Sequence, residues 1–283
     1  MTTVSLTSSR AVERGADGPV ANPISTVLCP LCESDHLSAT PSIPGRVRCG
    51  CGMVYSTDPS SVCQSRFFES EYSDAKRLEK FYGHQRGKQF RRVIARVSRL
   101  VERPERWLDI GCGPGDLLLE ASARGWECTG IDSSPLAVAM ARQRGLQTFL
   151  GCFPEEIPES DVEYDAISIV HMIEEVQDPK SVLRECKKRL SSNGVLVLEV
   201  KNFCFWVHAE RFFRSRDGIW CPLDIRTYSL STIAQFLQVT GFKLITVIPS
   251  GLKGSLILAQ LFSIGVAITG RAYSPSITVI ARG

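Results

Sequence analysis

The chain of 283 residues has almost no excess of charge: 33 lysines and arginines face 30 aspartates and glutamates, for a formal net charge of +3. A balance this small and evenly spread makes nucleic acid an unpromising partner. A long uninterrupted apolar run is also missing. "GSLILAQLFSIGVAITG", Gly254 to Gly270, is short for a span and is broken by Gln260 and Ser263. A buried or surface-packed helix is expected there, with membrane contact through 254–270 left open. Residues 1–25, rich in Ser, Thr, Ala and Gly, lack the apolar core of a secretory signal and read as a disordered tail. The 11 cysteines do not suggest a disulfide framework: the number is odd, and Cys128, Cys186 and Cys204 lie in apolar stretches as small hydrophobes, which suits a reducing cytoplasm. Two phosphate-binding signatures are absent as well. No Gly-Lys-Ser or Gly-Lys-Thr follows the glycine-rich loop at 111–115, which excludes a P-loop. The third glycine of a dinucleotide fingerprint would fall at Asp116, where a carboxylate would face a pyrophosphate, which argues against NAD.

With 43% hydrophobic and 22% charged residues, the chain can bury a full core, as one large domain or a main domain with an appendage. The appendage is "CPLCESDHLSATPSIPGRVRCGCGMVY", in which Cys29 and Cys32 form one pair and Cys49 and Cys51 another, joined by short polar linkers. Two thiolate pairs brought together by two turns complete a closed tetrahedral zinc site, structural because no coordination position stays open. With so little apolar content the segment needs metal to fold. The second pair has one intervening residue where two are usual, so His36 and Cys63 stand as alternatives for the fourth ligand.

In the main domain, "WLDIGCGPGDLLLEASARGWECTGIDSS", Trp107 to Ser134, reads as strand, glycine loop, helix stopped at Gly125, and a second strand ending in Asp132. An acid about twenty residues beyond the first glycine, at the tip of the second strand, belongs on an adenosine ribose. Asp109, at the end of the first strand, calls for positive charge on the ligand, as the ammonium and sulfonium of S-adenosylmethionine supply. Upstream, Phe90, Val93, Ile94, Val97, Leu100 and Val101 recur at helical spacing, so Arg91, Arg92, Arg96, Arg99 and Arg103 read as the wet face of an amphipathic helix.

"LDIGCGPGD" and "GIDSS", followed by "YDAISIVHMIEEVQDPKSVLRECKKRLSSNGVLVLEV", resemble the class I S-adenosylmethionine-dependent methyltransferases from about Trp107 to Gly283. The cysteine-rich head resembles the zinc ribbons attached to a subgroup that modifies sugars and other small metabolites. The resemblance implies an α/β fold: a seven-stranded Rossmann-like sheet with helices on both faces, its last strand "SITVIAR" antiparallel to the rest. Its divisions are a tail at 1–25, the head at 26–62, a helical linker and cap at 63–104, and the methyltransferase domain at 105–283 with an insertion at 202–228. It also implies that Asp109, Gly111, Gly113 and Gly115 surround the cofactor's methionine part, that Asp132 holds the ribose, and that Ser133 lies beside the adenine. Cys152 and Phe153 stand where an acidic and a small or apolar residue are common at the adenine edge, leaving Phe153 to pack on the ring.

Methyl transfer is an in-line displacement that needs alignment and exclusion of water, with a base optional. Candidate bases are His171, which the resemblance sets in the wall between cofactor and acceptor, Glu174, Glu175, His208 and Asp224. Glu175 and Asp224 replace histidines of the resembling pattern. The aromatic insertion, with Phe203, Phe205, Trp206, Phe212, Phe213 and Trp220, reads as an apolar lid or as ordinary core. Arg211, Arg214, Arg216 and Arg226 point to an anionic or nucleotide-linked acceptor. Three readings result: a methyltransferase acting on a sugar or secondary-metabolite hydroxyl, which is favoured, an RNA methyltransferase, and a non-catalytic cofactor-binding scaffold.

Overall fold

Strands such as "RWLDI", "YDAISIV" and "GVLVLEV" are apolar on both faces, the pattern of a parallel sheet covered on both sides. The computed structural model describes residues 28–35, 37–39, 45–57, 74, 76, 78, 86–103, 105–157, 162–209, 224–250 and 274–283. The tail at 1–25, His36, Cys63, the side chain of His208, the insertion residues 210–223 and the segment 254–270 lie outside the described residues or side chains. The head supplies β1 (Leu37–Ala39), β2 (Arg46–Cys49) and β3 (Val54–Ser56), and the linker supplies α1 (Gly87–Val97). Then follow β4 (Arg106–Ile110), α2 (Asp116–Ser122), β5 (Glu127–Asp132), α3 (Pro135–Gln143), β6 (Gln147–Leu150), β7 (Tyr164–Val170), α4 (Pro179–Arg189) and β8 (Leu190–Lys201). The last elements are α5 (Phe203–Ala209), β9 (Arg226–Thr227), α6 (Leu230–Val239), β10 (Lys243–Pro249) and β11 (Ser276–Arg282).

The main sheet has seven strands in the order β10-β11-β8-β7-β4-β5-β6. β4 through β8 run parallel, and β11 is antiparallel to both its neighbours. The fold class expected from the sequence is therefore the one observed. Alternate residues of the strands feed two cores. One face carries Leu108, Ile110, Ile167, Leu196 and Leu198 against α4 and α6, through Leu183, Cys186, Ile233 and Phe236. The other carries Trp107, Val195, Val197 and Ile280 against α1 and α2, through Phe90, Val93, Ile94 and Leu118. α1 thus buries Phe90, Val93, Ile94 and Val97 of the stripe read from its periodicity, with Leu100 and Val101 beyond its end, and Arg91, Arg96 and Arg99 stay exposed. Trp107 is fully buried, meets Trp126 edge-on at 4.9 Å and donates its indole N–H to Ser168 Oγ at 2.8 Å. An aromatic pair of this kind adds about 0.5–1.5 kcal/mol beyond its area.

β4 sits where the chain reverses its progress across the sheet, with β5 and β6 on one side and β7 and β8 on the other. Ligands of open α/β sheets bind outside the strand tips at such a reversal.

The head makes a second sheet of order β1-β2-β3-β9, so its fourth strand comes from residues far downstream: Val54 pairs with Thr227 and Tyr55 with Arg226. Cys29, Leu31, Met53 and Tyr55 share one core with α4 and α6. Among the cysteines read as small hydrophobes, Cys186 is buried and Cys128 partly so, whereas Cys204 is exposed on α5, a correction to the expectation. No helix among the described residues is long and apolar enough to cross a membrane.

Candidate active site

The glycine loop follows β4 because three of its residues take positive φ. Gly111 (φ 74) donates its N–H to Ile131 O at 2.8 Å, and a Cβ there would sit 3.0 Å from Met172, whose loop lies across it. Gly115 (φ 87) is the N-cap of α2, and its absent Cβ leaves room for Leu146, whose Cδ1 would be 2.2 Å away. Gly113 donates its N–H to Asp132 Oδ2 at 2.8 Å, while Ser134 N–H binds Oδ1 at 2.8 Å. Each carboxylate oxygen of Asp132 thus has one backbone donor and keeps acceptor capacity. Burial pushes its pKa up, and the two amide bonds oppose the shift.

Above the strand tips lies a cleft of about 280 Å³, lined among others by Gly111, Asp132, Ser133, Gly151, Cys152 and Phe153 on one side. His171, Met172, Glu175, Val176 and Gln177 line the other. Seven residues singled out from the sequence therefore meet in one place: Gly111, Asp132, Ser133, Cys152, Phe153, His171 and Glu175. Gly113 and Gly115 do not line it; they orient Asp132 and cap α2. Asp109 lines a smaller cavity, sharing Gly111 and Val170 with the main cleft, where Arg86 and Phe90 join it. Burial raises the Asp109 pKa to about 7 despite a 2.5 Å hydrogen bond from Ser168 Oγ. Cys152 is exposed, and its N–H is taken by Glu156 Oε2 at 2.7 Å. An acid four residues on thus folds back to this edge.

His171 adopts φ 54, and its ring lies between two carboxylates, with Nδ1 3.6 Å from Glu174 Oε1 and Nε2 3.3 Å from Glu199 Oε1. Burial and Arg86 disfavour the imidazolium, but Glu174 and Glu199 outweigh them and the pKa is raised. A histidine held this way has both ring nitrogens turned toward carboxylates, which favours its protonated form. Glu199 also accepts from Arg86 and from Thr278 Oγ1, the latter at 2.8 Å, and although burial opposes it, Arg86 and His171 hold its carboxyl well below the usual range. Glu175 behaves oppositely: burial, then Asp224 and Glu174, push its pKa to about 8 against the pull of Lys201. Asp224 pairs with Lys201 Nζ at 2.7 Å and does not line the cleft.

Arg86, Glu199 and Thr278 were missed by sequence reasoning. Glu199 had a signal, a single acid inside the apolar run "VLVLEV", which burial tolerates only with partners. Arg226, read as pointing to an anionic acceptor, is 9% exposed and directs its guanidinium to the carbonyls of Val176 and Gln177, a correction. Arg211, Arg214, Arg216, Phe212, Phe213 and Trp220 lie outside the described residues; Phe203, Phe205 and Trp206 are half-buried.

In the head, the four sulfurs of Cys29, Cys32, Cys49 and Cys51 lie within 4.8 Å of one another, with Cys29 to Cys51 at 3.6 Å and Cys32 to Cys49 at 3.4 Å. A tetrahedral zinc with bonds of about 2.3 Å needs sulfurs about 3.8 Å apart, so the four thiols are gathered close to the arrangement such a site requires. Gly50, between the second pair, does not prevent both thiols from converging.

Comparison with known proteins agrees with this geometry. A family described as methyltransferase domain matches residues 82–247. A ubiquinone biosynthesis O-methyltransferase of Xanthomonas oryzae pv. oryzae is 36% identical over 112 residues, which cover 37% of this chain and 46% of that protein. The chain thus spans about half the length of the curated relatives it matches. Among solved structures, the plantazolicin methyltransferase BamL in complex with a triazolic desmethylPZN analogue and SAH aligns with TM-score 0.58 at 18% identity, over 80% of this chain and 96% of that one. A SAM-dependent methyltransferase from Archaeoglobus fulgidus aligns with TM-score 0.52 at 17% identity, over 78% and 100%. The chain belongs to the methyltransferase-domain family and has the fold of the class I S-adenosylmethionine-dependent methyltransferases.

Proposed function

We propose that this protein transfers the methyl group of S-adenosylmethionine to a hydroxyl of a small-molecule acceptor, a sugar or secondary metabolite. The observation that carries the reading is the pairing of two groups across one cleft, Asp132 with both oxygens aligned by backbone N–H groups and Glu175 on the facing loop. Asp132 would take the ribose hydroxyls, Phe153 and Ser133 the adenine edge, and Asp109 the ammonium, with Arg86 beside it for the carboxylate. The cofactor supplies a methyl already activated as a sulfonium substituent, so the protein's part is alignment and removal of a proton. Glu175 is the base of choice: it faces the cleft with a pKa near working pH, whereas both nitrogens of His171 face carboxylates and Asp224 faces Lys201. The hydroxyl assignment is supported by the relatives' name, O-methyltransferase. A cytoplasmic site of action belongs to the same proposal. The four cysteines of the head would hold one structural zinc, checked by elemental analysis of freshly purified, unoxidised protein.

The test is to incubate a cell extract with the protein and isotopically methyl-labelled cofactor and to follow the label by mass spectrometry. Label on a small-molecule hydroxyl is the expected result. Label in RNA would transfer the site to a polymer acceptor, and cofactor binding without any transfer would make the protein a scaffold. Calorimetry showing tighter binding of NAD than of S-adenosylmethionine would overturn the reading as a whole.

A further inference from the structure

Arg226 touches both parts of the molecule. Its main chain lies in β9 opposite Tyr55 of β3, and the next residue, Thr227, donates its hydroxyl to Val54 O at 3.3 Å. β3 leads directly into the cysteine cluster, because Cys49, a member of that cluster, ends β2 and takes Met53 O with its N–H at 2.8 Å. In the other direction the guanidinium donates to the carbonyls of Val176 and Gln177, two residues that line the cleft. The N–H groups of Ile225 and Arg226 both reach Glu174 O, at 3.0 and 3.1 Å. Residues 174, 176 and 177 are therefore gripped from one short stretch, and Glu175 is carried between them.

Two physical points distinguish this from ordinary packing. The segment from Met172 to Asp178 belongs to no helix or strand, so carbonyls at 174, 176 and 177 have no ladder of their own and depend on outside donors. A buried guanidinium is also an expensive way to fill space, since an apolar side chain would serve stability as well or better. A planar fork with two donors directed at consecutive carbonyls is a specific use of arginine that a lysine cannot copy.

We propose that Arg226 is a positioning residue through which the four-cysteine head sets the acceptor wall of the cleft. The kinetic consequence rests on the methyltransferase reading above; the structural coupling does not. Ordering the cysteine cluster fixes β2 and β3, β3 fixes β9, and β9 presents the arginine that holds the loop carrying Glu175. The head is thereby part of the acceptor site without lining it.

The test compares the full-length wild type with Arg226→Lys, each with bound zinc and after chelation, by amide hydrogen exchange over residues 172–178. In the wild type, chelation is expected to raise exchange of this segment about tenfold or more while leaving β4 and β5 unchanged. In Arg226→Lys the segment should already exchange at the raised rate, with chelation adding less than about twofold, as expected of two changes on one line of contact. Turnover of the lysine variant should fall about 10- to 100-fold with cofactor affinity within about twofold, because misplacement of a reacting group lowers kcat. Unchanged exchange of 172–178 in the chelated wild type overturns the proposal, as does wild-type protection in the lysine variant, or a chelation effect of equal size in both proteins. A wild type that holds no zinc yet protects this segment fully also overturns it. Should Arg226→Lys not fold, the wild-type comparison decides, together with Thr227→Val, which keeps the arginine, removes one bond between β9 and β3, and should raise exchange of the same segment. A wild type that methylates no acceptor but shows the exchange coupling refutes the methyltransferase reading and leaves the coupling standing.

Discussion

The two walls of the cleft are built in different ways. On the side proposed for the cofactor, every named contact of Asp132 comes from a residue within twenty positions of it: Gly113 and Ser134 supply the N–H groups, and the strands that carry them are adjacent. On the side proposed for the acceptor, His171 leans on Glu199, Glu199 on Arg86 and Thr278, and the loop carbonyls on Arg226, partners drawn from four separate regions of the chain. A nearly invariant cofactor can be held by one compact local device. An acceptor site assembled from distant parts can be altered by changing any one of them, which is the economy expected where the same fold serves many substrates.

The largest expected effect would sharpen that contrast. Glu175→Gln should lower turnover by about 10²- to 10⁴-fold with little change in cofactor affinity, the range of general-base catalysis. Parallel kinetics and calorimetry check it, and a variant with near-normal turnover would leave alignment alone as the source of rate. Next comes an attempt to break the cofactor wall through its scaffold. Gly115→Ala must adopt left-handed backbone and displace Leu146, so denaturant unfolding should show a loss of about 2–5 kcal/mol, the sum of backbone strain and overpacking. If stability is unchanged, the loop is not built as described. Asp132→Ala should weaken S-adenosylmethionine binding by about 1–3 kcal/mol through loss of charge-assisted ribose contacts. An unaltered dissociation constant would remove the ribose assignment.

The smallest effect is one of pH. Glu175 keeps its proton in the folded state up to about pH 8, while the unfolded chain releases it near the ordinary 4.5. Between these values the folded state binds more protons, so this residue's contribution to stability is complete below pH 4.5 and is lost as pH rises through 8. Thermal unfolding from pH 5 to 9 should therefore fall less steeply for Glu175→Gln than for the wild type, and wild-type turnover should rise over the same range as the carboxylate forms. Parallel stability curves would mean that the carboxyl titrates normally.

Much of the cofactor wall was legible because its information is local. The span from β4 to Asp132 contains a short apolar run, a run of glycines, a helical stripe and a second apolar run ending in an acid, and each occupies the place read for it. The convergence of Cys29, Cys32, Cys49 and Cys51 was legible for the same reason, as two turns on a short segment. His171 was legible as a residue after the strand ending at Val170, and not as to state. How readily a histidine gives up its proton depends on what its second nitrogen meets, and Glu199 comes from a different strand.

By itself the sequence determined the strand order's raw material, the left-handed loop and the acid that it orients, because φ sterics, side-chain periodicity and one short-range hydrogen-bond pattern act within a few tens of residues. Only the tertiary structure decided that the carboxyls of Asp109 and Glu175 are pushed up toward neutral pH, that one histidine lies between two acids, and that a buried arginine from β9 joins the head to the cleft. Those outcomes depend on burial and on Coulomb interactions among groups far apart in the chain, and neither quantity exists until the fold brings the groups together.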